Sequence, residues 1–476
     1  MSKFLHGVEV IEAQTGTRPI KTVKSAVIGL IGTAPFADEK AFPLNTPVLV
    51  AGKRTDAVKL VDTTNADYQA KLASAKTVAG NAAKAETSAQ CLAAVEAFKA
   101  ANDKTADYEL TAEETKAIQD DVEAKAKAAV TDISDSLKGS LVRAIDGIFD
   151  QAGAAVVVVR VADNADETEV IKNMQAGTTV KGGYKGVSAF LAAESELGMT
   201  PRILIAPEYT HQFDKNTGEM NAVVSDLIGV AERLRAVIIA DGPNGDKDET
   251  EESRISADAI AIKYRQTIGS RRVYVVDPHV RVFRDGESVD EPASARVAGM
   301  IAKSDNDRGF WWSPSNTAMN GIVGTARSVD FQLGDANARA NHLNENEVAT
   351  IIRQNGFKLW GNRTCSGDPK WAFLSVVRTA DMINDSLLRA HMWAVDRNIT
   401  KTYIEDVKQS VQSYLDSLKA QGAILGGEIW ADEELNTPEN IQAGKVYFSF
   451  DFTPPTPAEH ITFKSILTNN YLEEIV

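Results

Sequence analysis

The chain has 476 residues, 43% of them hydrophobic and 25% charged, with a formal net charge of −15. At about 150 residues per domain this is too long for one ordinary core and predicts around three domains, and no apolar run approaches the ~18 residues of a membrane span. A pI near 5.0 argues against nucleic acid or an anionic lipid surface as the main partner, since both require a basic face.

Residues 1–24 are poor in helix signals, and Val8 and Val10 alternate against Glu9. They read as a lone strand that needs a sheet edge, in this subunit or another; without one it is a frayed tail. The opening MSKFLHGVEV has no apolar signal-peptide core, so the chain is expected to stay in the cytoplasm where it is made. Cys91 and Cys365 are the only cysteines, which rules out a disulfide framework. Ser25–Pro35 reads as a buried strand, Pro47–Ala51 as a second strand and Thr55–Val61 as a helix.

Residues 65–135 break this pattern. They are rich in Ala, Lys, Glu and Asp and almost free of Gly and Pro, with a narrow apolar stripe in CLAAVEAFKA. High helix propensity and high polarity predict an inserted helical surface domain.

Beyond it, near-continuous apolar strands alternate with amphipathic helices: Ala154–Val161 then Val187–Leu197, Arg202–Pro207 then Asn221–Leu234, Ala236–Asp241 then Glu252–Ile268, and Arg272–Pro278. That alternation predicts an α/β domain, residues 25–64 and 136–308, with a mostly parallel sheet covered on both faces. The fold class is therefore α/β, or α+β overall. Such sheets hold ligands at the carboxyl ends of strands, so Asp241 and Asp277 are candidate catalytic or metal-binding carboxylates. Against this, no G-x-G-x-x-G follows the first strand and no G-x-x-x-x-G-K-[ST] occurs anywhere. The neighbouring Gly-Pro and Pro make both aspartates ordinary turn residues.

Within the C-terminal block, residues 309–452, the stretch Gly309–Tyr403 holds five of the six tryptophans, which predicts a rigid, closely packed block. Two helices, Asp381–Asn398 and Thr400–Gln421, are expected, the second capped by Thr400 and stopped at Gly422. A half-buried strand over Lys445–Phe452 turns Val446, Phe448 and Phe450 to one face. The Pro-rich linker TPPTPAEH ends regular pairing, and a last strand follows in which Ile461, Phe463 and Ser465 alternate with Thr462, Lys464 and Ile466. No His or Cys pair has metal-ligand spacing and no G-x-S-x-G elbow is present, so no cofactor, metal or nucleophile is expected.

The segments RGFWWSPSN, GIVGTAR, LWGNRT and AVDRNITKTY, with HGVEVIE, TRPI, SAVIGLIGTAP and PLNTPVLV nearer the N-terminus, strongly resemble the tail sheath proteins of contractile bacteriophages and R-type pyocins. The resemblance implies a structural subunit that forms stacked rings of six around a tail tube, within a virion tail assembled in the host bacterial cytoplasm. Its expected partners are further copies of itself, the tube protein, baseplate and tail terminator proteins, without nucleic acid contact or membrane insertion. It implies that residues 1–24 (through Val8 and Val10) and 453–476 (through Ile461, Phe463 and Ser465) are exchange arms. These would add to a neighbour's sheet at the receiving strand containing Val446, Phe448 and Phe450.

A helix near Ile399 would face the tube, which makes Arg389, Arg397, Lys401, Lys408 and Lys419 candidate tube contacts; the alternative for these five is solvated surface charge. A diverged α/β enzyme with a ligand site at Asp241 and Asp277 is the competing reading.

Overall fold

The computed structural model describes residues 19–74, 89–102, 104–105, 108–122, 138–180, 182–214, 216–245, 251–284 and 287–468. The strand expected around Val8 and Val10 lies outside them.

A nine-stranded sheet forms the centre, in the spatial order 317–318, 357–360, 348–353, 273–276, 237–241, 203–205, 28–33, 155–161, 47–51. Ile28–Thr33 pairs in parallel with both Ala155–Val161 and Ile203–Ile205, so the chain reverses its direction of progress across the sheet there. The strands are short apolar runs because both faces are covered. Leu30, Val156, Val158, Ile205 and Ile239 enter one core with the helices Ser140–Phe149 and Ser294–Asp307. Ile31, Val157, Val159, Leu204 and Ile238 enter a second core with Ala222–Leu234 and Glu251–Gln266. Gly299 lets the first helix pair approach closely: a Cβ there would lie 2.6 Å from the Ile148 carbonyl oxygen.

Several elements differ from the sequence expectation. Thr55–Val61 is a 3-10 helix over Arg54–Leu60, and Val187–Leu197 splits into a 3-10 stretch, Gly186–Ala192, and a single helical turn, Ala193–Leu197. Strands Val348–Arg353 and Phe357–Trp360 join the large sheet through the parallel pairing of Val348 with Val275, so the region after residue 309 begins inside the α/β layer. Nor do the tryptophans form one block. None of the six is fully buried, and three sit at rims under guanidinium groups, Arg271 over Trp371, Arg308 over Trp312 and Arg397 over Trp393. An indole that keeps its N–H near water gains more at a rim than in a sealed core.

A third core belongs to the C-terminal part. It joins the helices Leu374–Ala390 and Lys401–Ala420 to the antiparallel hairpin Gly426–Ala431 and Phe448–Thr453. The first of these helices starts seven residues before the expected Asp381 and ends at Ala390, where a 3-10 turn, Met392–Ala394, takes over. Within 65–135 the described parts include helix Ala89–Ala101 and helical residues 112–122, which share a small cluster of Cys91, Ile118 and Val122.

Candidate assembly interface

The hairpin pairs Gly426 with Thr453 through Ala431 with Phe448. Beyond its end the Asp432 N–H donates to the Tyr447 oxygen at 3.1 Å, which fixes the alternation. In an antiparallel ladder successive residues bond alternately inward and outward. Residues 428 and 430 therefore bond to the partner strand, while Gly427, Ile429 and Ala431 point outward. On the other strand Phe448, Phe450 and Phe452 point outward.

Their rings pack on the third core, with Phe450 and Phe452 stacked at 6.0 Å, so the outward backbone groups are held in place. Outside the ladder, the N–H groups of Phe448, Phe450 and Phe452 donate to no described residue. Phe448 and Phe450, expected in a receiving strand, thus carry an open edge. Val446 does not: the strand begins at Phe448, because Asn436 clamps the preceding turn, accepting from Tyr447 N at 2.8 Å and donating to Tyr447 O at 2.8 Å.

The other strand meets the long helix instead. Gln412 donates from Nε2 to the Gly427 oxygen at 3.1 Å and accepts at Oε1 from the Ile429 N–H at 3.3 Å.

Residues 454–468 carry no assigned secondary structure and lie away from the core. Ile461 is 67% exposed, Phe463 92% and Leu467 98%; Ser465 is exposed too. The described part of the expected last strand, Ile461–Leu467, is thus an extension that joins no strand among the described residues, since a lone strand has no ladder of its own. Its base is fixed by Arg363, which donates to both Glu459 carboxylate oxygens at 2.8 and 2.6 Å. At the other end, Ile20 and Val23 pack on the third core, Val23 N donates to Ser386 Oγ at 3.1 Å, and Thr22 Oγ1 lies 3.0 Å from the Tyr414 hydroxyl.

Helix Leu374–Ala390 is bolted to the large sheet by arginines from the sheet side. Arg202 pairs with Asp385, Arg272 with Asp381, and Arg378 of the helix pairs with Asp305 through two bonds of 2.6 and 2.5 Å. Removing one partner of such a buried pair leaves a charge uncompensated, at a cost of about 3–5 kcal/mol. The hairpin is therefore carried on a rigid base.

The five basic candidates do not share one environment. Arg389 bonds Glu194 at 2.7 and 3.0 Å, Asp385 at 2.8 Å and Thr200 at 2.8 Å. Its hydrogen bonds hold the Glu194 carboxyl down at about 2. Lys408 pairs with Glu405 at 3.6 Å, and the Arg397 guanidinium lies 4.9 Å from the centroid of Trp393. Lys401 and Lys419 are exposed, and Leu388, Met392 and Val395 add exposed apolar surface beside the turn between the helices.

The carboxylates considered for chemistry are consumed internally. Asp241 is fully buried and accepts from Ser294 N at 2.8 Å and Ser294 Oγ at 2.5 Å; burial pushes its carboxyl up to about 7. Asp277 pairs with buried Arg327 and accepts from Asn244 N at 2.8 Å. At the reversal of the sheet Ser140 Oγ accepts from Thr33 N at 3.0 Å, and a cavity lined by Arg143, Asp163, Glu208, His211 and His279 lies among the described residues. His211 and His279, far apart in sequence, meet edge to face at 5.2 Å, a contact that no spacing rule signals. Among the described residues no group of three His, Cys, Asp or Glu could hold a metal ion, and no helix is long and apolar enough to cross a membrane.

A family model for the phage tail sheath protein central domain matches residues 182–365, and one for the phage tail sheath C-terminal domain matches residues 366–468. The chain is 40% identical over 339 residues to a prophage major tail sheath protein of Pseudomonas aeruginosa strain UCBPP-PA14, covering 71% of this chain and 83% of that one. It is 32% identical to the tail sheath protein of Escherichia phage P2 over 100% of this chain and 98% of that one. The contracted helical sheath of the anti-feeding prophage shares the fold, with a TM-score of 0.59 at 18% identity over 97% of this chain and 99% of that one.

Proposed function

Because this chain belongs to the phage tail sheath family, and is a structural subunit of a contractile virion tail rather than an enzyme, we propose that its subunits are joined by strand exchange at the C-terminal hairpin. One observation carries this reading: among the described residues the same molecule has a bare strand edge at Phe448–Thr453 and an exposed apolar extension, Ile461–Leu467, that joins no strand. Adding one to the other between copies satisfies both, through main-chain hydrogen bonds and alternate side chains. Ile461 and Phe463 would dock on one face, with Ser465 continuing the alternation. Within the arm of residues 1–24, the stretch around Val8 and Val10 supplies the second exchanged strand, while Ile20 and Val23 anchor its base on the third core.

In the assembled tail these contacts link rings of six around the tube. Main-chain pairing tolerates hinging at the linkers, so subunits can rotate and slide while staying joined. The extended sheath is a kinetic trap that the baseplate releases, and a tail terminator closes the far end. Arg397, Lys401 and Lys419 supply the tube-facing charge, with Lys408 in a weaker role, and assembly takes place in the host cytoplasm without nucleic acid contact or membrane insertion. Residues 65–135 form an outward decoration of the α/β domain.

Deleting Ile461–Val476 tests the exchange. The truncated protein is expected to be a folded, soluble monomer; sheath assembly at the normal concentration would overturn the reading.

A further inference from the structure

The two edges of the hairpin are chemically unequal. The Phe448–Thr453 edge is bare, whereas the Gly426–Ala431 edge carries the Gln412 amide. That amide donates to the Gly427 oxygen and accepts from the Ile429 N–H, the pair of bonds an incoming strand would make at those groups. A primary amide has the donor and acceptor of a peptide group, so one side chain can imitate one residue of a strand. We propose that Gln412 is a removable edge guard: it closes the Gly426–Ala431 edge in the free subunit and withdraws when an extended arm of a second copy pairs there.

The setting supports a removable cap rather than a permanent one. Gln412 is only half-buried, and its Nε2 lies 3.1 Å from Asp416 Oδ1, one turn along the same helix. That carboxylate can hold the amide once the strand groups are taken. The cap also covers only part of the edge: outside the ladder, the outward N–H of Ala431 donates to no described residue. An incoming strand can begin pairing at Ala431 and displace the amide next. An unguarded edge invites uncontrolled pairing, and proteins blunt such edges with side chains. The consequence is an ordered assembly, in which the Phe448–Thr453 edge accepts its strand first and the guarded edge second.

The inference rests on strand exchange at this hairpin, and the test separates the two. Full-length Q412A and Q412M would be compared with the wild type for the concentration at which tube-free sheath sediments, with polymers checked by electron microscopy. Q412M keeps the stem that packs beside the strand and loses only the hydrogen bonds. Loss of two bonds that compete with the arm predicts a threshold roughly tenfold lower for both variants. An unchanged threshold, with polymerisation still abolished by deleting Ile461–Val476, would overturn the guard and leave the exchange standing. Polymerisation of that deletion would overturn the exchange itself. Hydrogen exchange on the wild type gives a reading that needs no variant: the Ala431 amide should exchange fast in the free subunit and slowly in the polymer. Fast exchange in both states would show that no strand reaches this edge.

Discussion

Arg363 grips Glu459 by two parallel hydrogen bonds while its guanidinium lies 5.6 Å from the centroid of the Phe373 ring, so the C-terminal extension leaves the body at one fixed point. Both side chains are more than a third exposed, 36% and 38%, and such a pair contributes at most ~1 kcal/mol to stability. In the proposed exchange its role is direction. Fixing the base of an arm raises the effective concentration of its tip near the correct neighbour edge.

R363A is therefore expected to melt within a few degrees of the wild type and yet to polymerise at a higher concentration threshold. R363K should behave similarly, because an ammonium cannot form the two-pronged contact. Sedimentation and thermal melting on the same samples decide the matter: a large fall in melting temperature with no change in threshold would assign Arg363 to the fold.

Acid should loosen the contact between Arg389 and the Glu194 turn. The Glu194 carboxyl is held at about 2, below the ordinary value near 4.5, chiefly by hydrogen bonds from Arg389. A lowered folded-state value means that its contribution is fully present above about pH 4.5 and is lost as pH falls toward 2. The two side chains are 44% and 46% exposed, so solvent screening limits the effect to under ~1 kcal/mol. Urea midpoints from pH 5 to 2.5 should fall less steeply for E194Q than for the wild type. Parallel curves would remove the pair from the acid response.

Replacing residues 65–135 with a short Gly-Ser linker should leave folding and polymerisation intact. The stem of the insertion is already closed on the body: Asp62 N donates to the Phe36 oxygen at 2.7 Å, and Ser140 N lies 3.4 Å from Thr33 Oγ1. Bringing close ends together costs little extra for a shorter loop. Tyr68 packs edge to face on Phe36 at 5.4 Å, so a replacement that starts after Tyr68 should melt higher than one that removes it. Circular dichroism melts of both versions give the comparison, and loss of cooperative unfolding in each would place the segment in the core.

The proposed tube-facing charge is best tested away from the hairpin. Lys401, Lys408, Gln412 and Lys419 recur at spacings of seven, four and seven, on one face of the helix Lys401–Ala420. Reversing Lys408 would thus disturb the guarded edge as well. R397E with K401E should reduce assembly on purified tubes at low salt, by an amount that shrinks as salt rises, and leave tube-free polymerisation unchanged. Equal assembly on tubes at low and moderate salt would return these residues to solvated surface.

Whatever depends on short-range pattern was legible in the order of the amino acids. The apolar runs at Ala155–Val161 and Val237–Asp241 had to be buried strands, and Thr400 and Gly422 bounded their helix because a side-chain oxygen and a left-handed backbone act within a few residues. The segments LWGNRT and AVDRNITKTY were sufficient to point to the sheath family. Whatever depends on distant partners required the folded chain. Val348–Arg353 could have paired anywhere until it met Val273–Val276, and Arg389 counted as an available charge until Glu194 was brought beside it from 195 residues away. The same holds for the hairpin: alternation in Phe448, Phe450 and Phe452 shows which face is apolar, while pairing decides which edge is open. Nothing local to Gln412 signals that its amide lies on the other edge, because a strand's hydrogen-bonding direction runs perpendicular to the side-chain pattern that a sequence records.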